Sequence, residues 1–502
     1  MLIWLILIPV IASALIGLAK APGRLTAIAS AALTLFMTLG AVFCPHCGAD
    51  CCASTLFGFP VQLTVDPAVL PLAKVMVLLT AIVTLAATIG LKAPDKDAER
   101  SWAISALLLS TGAMGAFMSD NIIAFYGFHE LALIPTFVMI GCYGRGDRRT
   151  VAWTATLYLG LASMVLLAGL LMLCWEMHAY SFSMMARAFH AGIAPEHGCI
   201  IGGLLLAGFG TLVSLFPFHS WAAPAYASAP TPIAMLHAGV LKKFGLYGLF
   251  TLAYVFGPQG LDSLFGCWNN LLLVLLLGNV LWVGIVTIAQ RRLDDMLGNS
   301  SVMHMGYLFL AFAVLVAGCG PVASELAVKG AALLMLAHGL TISMLFLLTG
   351  QIESQTRTLE MESMGGLARK LPWLGFLFAL AGLASIGLPL LANFPGEFSI
   401  FYSCFVDWHP GTDGCCALAN WLGGLGPVQF TLVFALWGLV ISAVYMLRAF
   451  RNIFEGDVSH ASDRATGLTA LDTTAAVVLT VAIVLFGILP YIVSNLVPAI
   501  GA

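Results

Sequence analysis

Apolar windows long enough to cross a bilayer recur along almost the whole chain, and nothing else constrains its fold as strongly. A segment in lipid must satisfy its backbone groups internally, so such windows dictate helices rather than open sheet. They fall at 2–19, 24–43, 69–91, 102–118, 120–141, 152–173, 200–218, 233–256, 270–289, 301–318, 327–349, 373–391 with a continuation at 396–406, 428–450 and 471–496. At about 20 residues per crossing, they predict an all-α polytopic membrane protein of about fourteen transmembrane helices. The first window has no basic leader and no clean cleavage site, so it reads as span one rather than a removable signal. Of 502 residues, 60% are apolar and only 9% charged, against about 25% charged in soluble domains. A water-soluble enzyme is excluded. The net charge of −3, with scattered basic residues, leaves no footprint for nucleic acid; the surroundings are membrane lipids.

Basic residues sort by side. Lys20 and Arg24 follow span one, Lys92, Lys96 and Arg100 follow span three, and Arg145, Arg148 and Arg149 follow span five. Arg291 and Arg292 follow span nine, Arg357, Arg369 and Lys370 span eleven, and Arg448, Arg451 and Arg464 span thirteen. The intervening loops carry only Arg187. Positive charge stays inside, so the odd-numbered loops are expected on the cytoplasmic side and both termini on the periplasmic side. Most of the 12 cysteines fall in or beside the predicted outer loops, where disulfides form. Cys174 with Cys199 is one expected pair, closing the loop between spans six and seven. Cys44-Pro-His-Cys47 with Cys51 and Cys52 has metal-like spacing. No second His/Cys cluster pairs with it, so disulfides or free thiols are the expectation. The polar loops are short, and no dinucleotide, phosphate or iron–sulfur motif occurs in them.

Ionisable residues inside the spans ask for a reason, because charge in hydrocarbon is costly. Glu130 lies mid-span beside His129. Lys242 and Lys243 lie within span eight, with His237 almost two turns earlier. His304 opens span ten, His338 sits inside span eleven, and Glu397 falls where span twelve is interrupted. Each has a plainer reading. Glu130 and Glu397 suit a structural hydrogen bond or a lipid edge, His304 an interface, and Lys329, at the start of span eleven, snorkeling. On an α-helix, Lys242 and Lys243 point about 100° apart, so one faces a polar axis while the other snorkels or pairs elsewhere. As a set, acids, amines and imidazoles on successive spans are what a proton path requires. A desolvated lysine gives up its proton readily, and a neighbouring carboxylate restores its charge.

Helix breaks point the same way. Pro217, followed by Phe218, His219 and Trp221, ends span seven, and Pro224, Pro230 and Pro232 precede span eight. Pro389 and Pro395 bracket Asn393 in span twelve. Broken helices are tolerated only beside protein or a water-lined cavity. Two breaks five spans apart suggest an inverted repeat of two five-helix units, spans four to eight and nine to thirteen. The expected organisation is an N-terminal three-span segment at 1–101 and a first half at 102–256. A second half at 270–453 and a loop with span fourteen at 454–502 complete it.

FHELALIPTF around Glu130, PFHSW and SAPTPIAMLHAGVLKKFGLYG around His219, His237 and Lys243, SSVMHMG at His304, LAHGL at His338 and NFPGEF at Glu397 occur in this order. Together they resemble the antiporter-like membrane subunits of respiratory complex I over essentially the full length. The resemblance is closest to the M-chain type of bacterial NADH–quinone oxidoreductase, whose mitochondrial counterpart is subunit four. In that family Trp usually occupies the His129 position, and the helix-eight lysine falls on Lys243. Sibling chains carry lysine where Glu397 stands. Two departures concern charge. The family's helix-seven lysine, partner of the helix-five glutamate, is replaced by Leu212, and no lysine lies between Lys96 and Lys242. QRRLDDML also puts Asp294 where a basic residue is expected.

The resemblance implies a proton-translocating subunit of the bacterial inner membrane, a non-redox part of an NADH–quinone oxidoreductase. The chain itself would hold no cofactor. NADH, FMN, iron–sulfur clusters and quinone would belong to other subunits, among them sibling antiporter-like chains. Glu130 would be the charge partner and Lys243 the central carrier, with His304 and His338 passing protons to Glu397. For the lysine missing at Leu212, either Lys242 or Lys243 would partner Glu130, or His129, His219 or His237 would supply the titratable group. Two alternatives remain: a cation/proton antiporter or membrane-hydrogenase subunit of the same fold, or a non-pumping scaffold. A stand-alone solute transporter fits the motifs less well.

Overall fold

The computed structural model describes residues 2–43, 52–56, 59–409 and 424–500. Two N-terminal helices, α1 (Leu2–Gly17) and α2 (Gly23–Phe43), lead to a short antiparallel hairpin, β1 (Cys52–Leu56) and β2 (Phe59–Leu63). There follow α3 (Ala73–Ile89), α4 (Lys96–Met118), α5 (Ile122–Tyr143) and α6 (Arg148–Met177). A surface helix, α7 (Phe182–His190), precedes α8 (Gly198–Val213), α9 (Ala222–Ser228) and α10 (Thr231–Gly239). Beyond a 3-10 turn at Leu241–Lys243 come α11 (Phe244–Leu277), a π turn at Gly278–Val283 and α12 (Gly284–Ala289). The rest comprises α13 (Leu293–Val316), α14 (Pro321–Thr356), α15 (Leu367–Lys370), α16 (Pro372–Ile386) and α17 (Asn393–Ser403). The last helices are α18 (Pro427–Ala435), α19 (Trp437–Phe454), α20 (His460–Asp463), α21 (Ala470–Ile488) and α22 (Tyr491–Ser494).

The protein is thus an all-α polytopic membrane protein to which the hairpin is a small addition. Among the described residues, nine helices are long and apolar enough to cross a membrane, and Leu2–Gly17, Ala73–Ile89, Gly198–Val213 and Pro372–Ile386 are shorter apolar ones. The candidate span Thr231–Ala289 doubles back: Gly257 takes φ 60 ahead of Pro258. Before it, Gly248 lies against Phe209 and Gly245 against Val213; after it, Ser263 lies against Gly198 and Trp268 against Gly203. The two stretches therefore pass α8 in opposite directions. α13 and α14 are buried along nearly all their length and form the centre. Around them α5, α6, α2 and α19 turn Ile134, Trp153, Phe36 and Trp437 outward, as lipid-facing helices do.

Helices that gain nothing from burying apolar surface in lipid associate through close packing, and small residues permit it. A Cβ on Gly202 would lie 1.8 Å from Leu264 O, and one on Gly339 2.7 Å from Gly239 O. The second contact brings α10 against α14 and sets the spacing of the site below.

The interruption after α8 is repaired by one side chain. Ser214 adopts the left-handed region (φ 72) and ends α8, so the backbone groups here have left the helical ladder. Asn279, fully buried in the π turn, accepts from Phe216 N at 2.7 Å. It donates to Ser214 O at 2.9 Å and to Val302 O at 3.0 Å. Two backbone groups at the break, Phe216 N and Ser214 O, are thereby satisfied, and the amide is anchored to the α13 carbonyl of Val302.

The cysteine pairing needs correction. Cys199 is bonded to Cys267, not to Cys174, whose thiol is free and buried. The expected pair follows the loop between spans six and seven, whereas the disulfide ties the start of α8 to the returning stretch of α11. Cys44, Cys47, Cys51, Cys415 and Cys416 lie outside the described residues, and with them the metal-like spacing.

Candidate functional site

Four residues singled out in the sequence converge where α10 gives way to α11. At Val240 the chain leaves the α-helix and closes a 3-10 turn, Leu241–Lys243. Such a turn has 3.0 residues per revolution, so consecutive side chains diverge more widely than on an α-helix. Lys242 and Lys243 are both almost wholly buried, at 1% and 0% exposure, and neither snorkels. Lys243 Nζ donates to Ala238 O at 2.7 Å, a carbonyl at the change of winding, and lies 2.9 Å from His338 Nδ1 on α14. Lys242 Nζ reaches the other way, 3.3 Å from Ser301 Oγ on α13 and 5.3 Å from the centre of the Tyr226 ring.

From His338 the ring of His304 is 5.6 Å away, centre to centre. His304 bridges two backbones: Nδ1 lies 2.9 Å from Ser300 O, and Nε2 lies 2.9 Å from Ser385 O on α16. Ser300 Oγ is 2.6 Å from Tyr445 OH. Two residues past Ser385, Gly387 (φ 86) ends α16, and its backbone is pressed against the Glu397 carboxylate. Glu397 is 3% exposed, and its Oε1 has no hydrogen-bond partner among the described residues. Asn393, one turn earlier on α17, is held by Thr341 Oγ1 at 3.2 Å. An amine, two imidazoles and a carboxyl thus follow one another through the buried interior, on the turn after α10 and on α14, α13 and α17.

Glu130 does not join this line. It sits on α5 with its side chain 37% exposed, 3.8 Å from His129 Nδ1. No lysine pairs with it among the described residues. His129 is buried and stacked on Phe244 with ring centres 3.9 Å apart. A groove of about 170 Å³ between α5 and α6 has Glu130 on its wall and His237 as the other titratable group lining it. His237 is fixed by aromatic neighbours, Trp221 at 5.7 Å and Tyr226 at 5.2 Å between ring centres. The Tyr226 ring in turn faces Lys242. His219, at the break after α8, stacks on Phe216 at 5.4 Å and is half-buried. Leu212 is buried at 4% exposure. Lys329 lies apart, paired with Glu325 one turn away at 2.5 Å.

The sequence reasoning missed the neutral residues of the site. Asn279, Ser300, Ser301, Ser385 and Tyr445 carry no charge, and a polar residue in an apolar run is too common a signal to single out. Asn279 had one usable cue: an amide in mid-span asks for the same explanation as a charge. Among the described residues, no group of three or more His, Cys, Asp or Glu side chains is placed to hold a metal ion.

These features define a class: polytopic membrane subunits with broken helices and a buried line of lysine, histidine and glutamate. Residues 119–412 match the transmembrane family described as NADH:quinone oxidoreductase/Mrp antiporter, TM, and the chain belongs to that family. Within it, the chain is an antiporter-like subunit related to the M-type chain of complex I. It is 27% identical over 420 residues to NADH-quinone oxidoreductase subunit M of Rickettsia prowazekii, covering 84% of this chain and 79% of that one. The fold is shared with a chain of respiratory complex I from Thermus thermophilus (TM-score 0.81, 24% identity, 99% and 98% covered). It is also shared with a chain of the Mrp complex from Dietzia sp. DQ12-45-1b (TM-score 0.79, 16% identity, 99% and 95% covered).

Proposed function

We propose that this chain is a proton-translocating membrane subunit of an NADH–quinone oxidoreductase-type complex. It performs no redox step and holds no cofactor. Quinone reduction by partner subunits drives protons through its buried polar line. The observation that carries this reading is the Lys243–His338 contact continued by His304 toward Glu397. Charge in an apolar interior costs several kcal/mol, and hydrogen-bonded nitrogens in sequence are suited to passing a proton stepwise. Lys243 is the central carrier, His338 and His304 relay, and Glu397 receives at the far end. Fourteen spans with two inverted five-helix halves, in the bacterial inner membrane with periplasmic termini, is the architecture this reading adopts. The doubling back at Gly257 and the regular alternation of basic loops support it. Sibling antiporter-like chains are the partners it implies.

The lysine absent at Leu212 is replaced, in this reading, by His237. His237 shares the groove wall with Glu130, and the Tyr226 ring lies between it and Lys242. Lys242 faces Ser301 on α13, which suits a second carrier in the other half better than a partner for Glu130. The test is proton pumping by the intact complex in vesicles, normalised to assembled complex and electron-transfer rate. Lys243→Ala lowers protons moved per electron pair or slows coupled turnover. His237→Ala then reports whether the groove beside Glu130 participates, and Lys242→Ala whether the contact with Ser301 does. Normal pumping in all three removes the relay reading.

A second reading has its own observation. Glu130 lacks a lysine partner and Leu212 is apolar, which also suits a non-pumping scaffold subunit. The fold shared with the Mrp chain also keeps a cation/proton antiporter subunit in view. In the scaffold reading Glu130→Ala and Lys243→Ala both keep coupled pumping by the complex intact.

A further inference from the structure

Lys242 and Lys243 raise a problem of charge balance. They are 1% and 0% exposed, and as chain neighbours their Cα atoms are only about 3.8 Å apart. Among the described residues, lysine forms ion pairs at Lys92, Lys329 and Lys370, so neither buried amine has a carboxylate partner. The titratable groups around the two are His338 on α14, His304 on α13, His237 on α10, Tyr226 on α9 and His219 at the break after α8. These are imidazoles and a phenol. None of them brings the negative charge that two ammonium groups would need.

Each amine nevertheless has a polar cradle of its own. Lys243 Nζ has the Ala238 carbonyl at 2.7 Å and His338 Nδ1 at 2.9 Å. Lys242 Nζ has Ser301 Oγ at 3.3 Å and lies over the Tyr226 ring, 5.3 Å from its centre. Either setting suits an ammonium: lone pairs in one, a hydroxyl and an aromatic face in the other. Filling both at once would bury two like charges side by side in an apolar interior, where their repulsion is hardly screened. There are two places for a proton and surroundings that tolerate one charge.

We propose that Lys242 is a second proton-carrying residue and that it shares a single positive charge with Lys243. The inference rests on the relay reading above and names what makes Lys243 release its proton. At rest Lys243 is the ammonium and Lys242 a neutral amine. A proton arriving on Lys242 creates a second ammonium beside the first, and Lys243 gives one proton to His338 Nδ1. Lys242 then holds the only charge of the pair, and passing its proton to Lys243 restores the resting state. One proton enters at Lys242, one leaves at His338, and the charge on the pair ends as it began. Ser301 and Tyr226 are positioning residues: they hold Lys242 and carry no proton.

The test is the pH dependence of proton pumping by the intact complex in vesicles, normalised to assembled complex and electron-transfer rate. Lys242→Met keeps an unbranched side chain and removes the charge. With no like charge beside it, Lys243 holds its proton to higher pH, because the two titrations are coupled. The pH optimum of pumping therefore moves up by about one unit or more, and pumping at neutral pH falls by about tenfold. Ser301→Ala takes away the hydroxyl that holds Lys242 and shifts the optimum the same way by less. Lys242→Arg keeps a charge that cannot be discharged, so Lys243 stays neutral and pumping is lost at every pH. The shared charge is overturned if Lys242→Met assembles and keeps the wild-type optimum, or if Lys242→Arg pumps like wild type. A role in packing alone lowers assembly of Lys242→Met without moving the optimum. Should Lys242→Met not assemble, the shift in Ser301→Ala decides. Normal pumping by Lys243→Ala removes the relay itself, whereas an unmoved optimum beside a loss in Lys243→Ala removes the shared charge alone.

Discussion

Lys243 and His338 meet at 2.9 Å in the centre of the protein, on helices whose glycines touch at Gly239 and Gly339. The amine arrives from a 3-10 turn, the imidazole from the most deeply buried helix, and the glycine contact keeps their separation short. The two residues therefore behave as one unit.

That unity is measurable as non-additivity. Lys243→Ala and His338→Ala each slow coupled turnover by about tenfold or more, equivalent to ~1.4 kcal/mol in barrier. The double variant is little slower than either, because residues sharing one bond lose it once. Pumping assays on the three variants give the coupling; additive losses would mean that the contact does not serve transport.

Gly387→Ala disturbs the far end. At φ 86 an alanine is strained, and its Cβ would lie 2.2 Å from Glu397 Oε2. The strain costs about 1–3 kcal/mol, and relief requires the carboxylate to move. Thermal unfolding of the assembled complex should fall and pumping should fall with it. Glu397→Gln, similar in shape but without charge, should lose pumping while keeping stability; equal pumping by Glu397→Gln and wild type would remove Glu397 from the path.

Asn279→Leu leaves Phe216 N and Ser214 O without their side-chain partner, while Val302 O keeps its place in the α13 ladder. At about 1–3 kcal/mol for each buried group left unsatisfied, the break after α8 should loosen, seen as lower assembly or faster hydrogen exchange around Ser214. Asn279→Asp keeps the acceptor alone and should be intermediate. An unaltered exchange pattern in Asn279→Leu would show that these groups find other partners.

Cys199→Ser separates stability from transport. Opening the Cys199–Cys267 bridge, which spans 68 residues, should cost about 2–4 kcal/mol of stability. The protons moved per electron pair should stay unchanged, since the bridge lies away from the lysine–histidine line. A changed ratio would tie the disulfide clamp to the mechanism.

Charge against an apolar background made most of the site legible. Lys243, His304, His338 and Glu397 stood out because few ionisable residues occupy those spans. What they do to one another was not legible, because it depends on winding and register. An α-helical spacing sends one of the two lysines to the surface; the 3-10 turn buries both. The exposure of Glu130 depends on which face of α5 meets α6, and that helix is apolar almost all round. The choice of Cys267 over Cys174 turns on Gly257 reversing the chain, which no cysteine spacing encodes. Neutral bridges such as Asn279 and Ser385 left no sequence signal strong enough to separate them from ordinary packing.

The peptide bond joining Lys242 to Lys243 has one more implication. Covalent neighbours here address two different helices, Ser301 on α13 and His338 on α14, from a single turn of backbone. Rewinding that turn from 3-10 to α would swing the two ammonium groups through about 20° relative to each other. Neither could be re-aimed alone. The turn acts as a fork whose two prongs share a stem, so whatever twists the stem sets the order in which the prongs make and break their contacts.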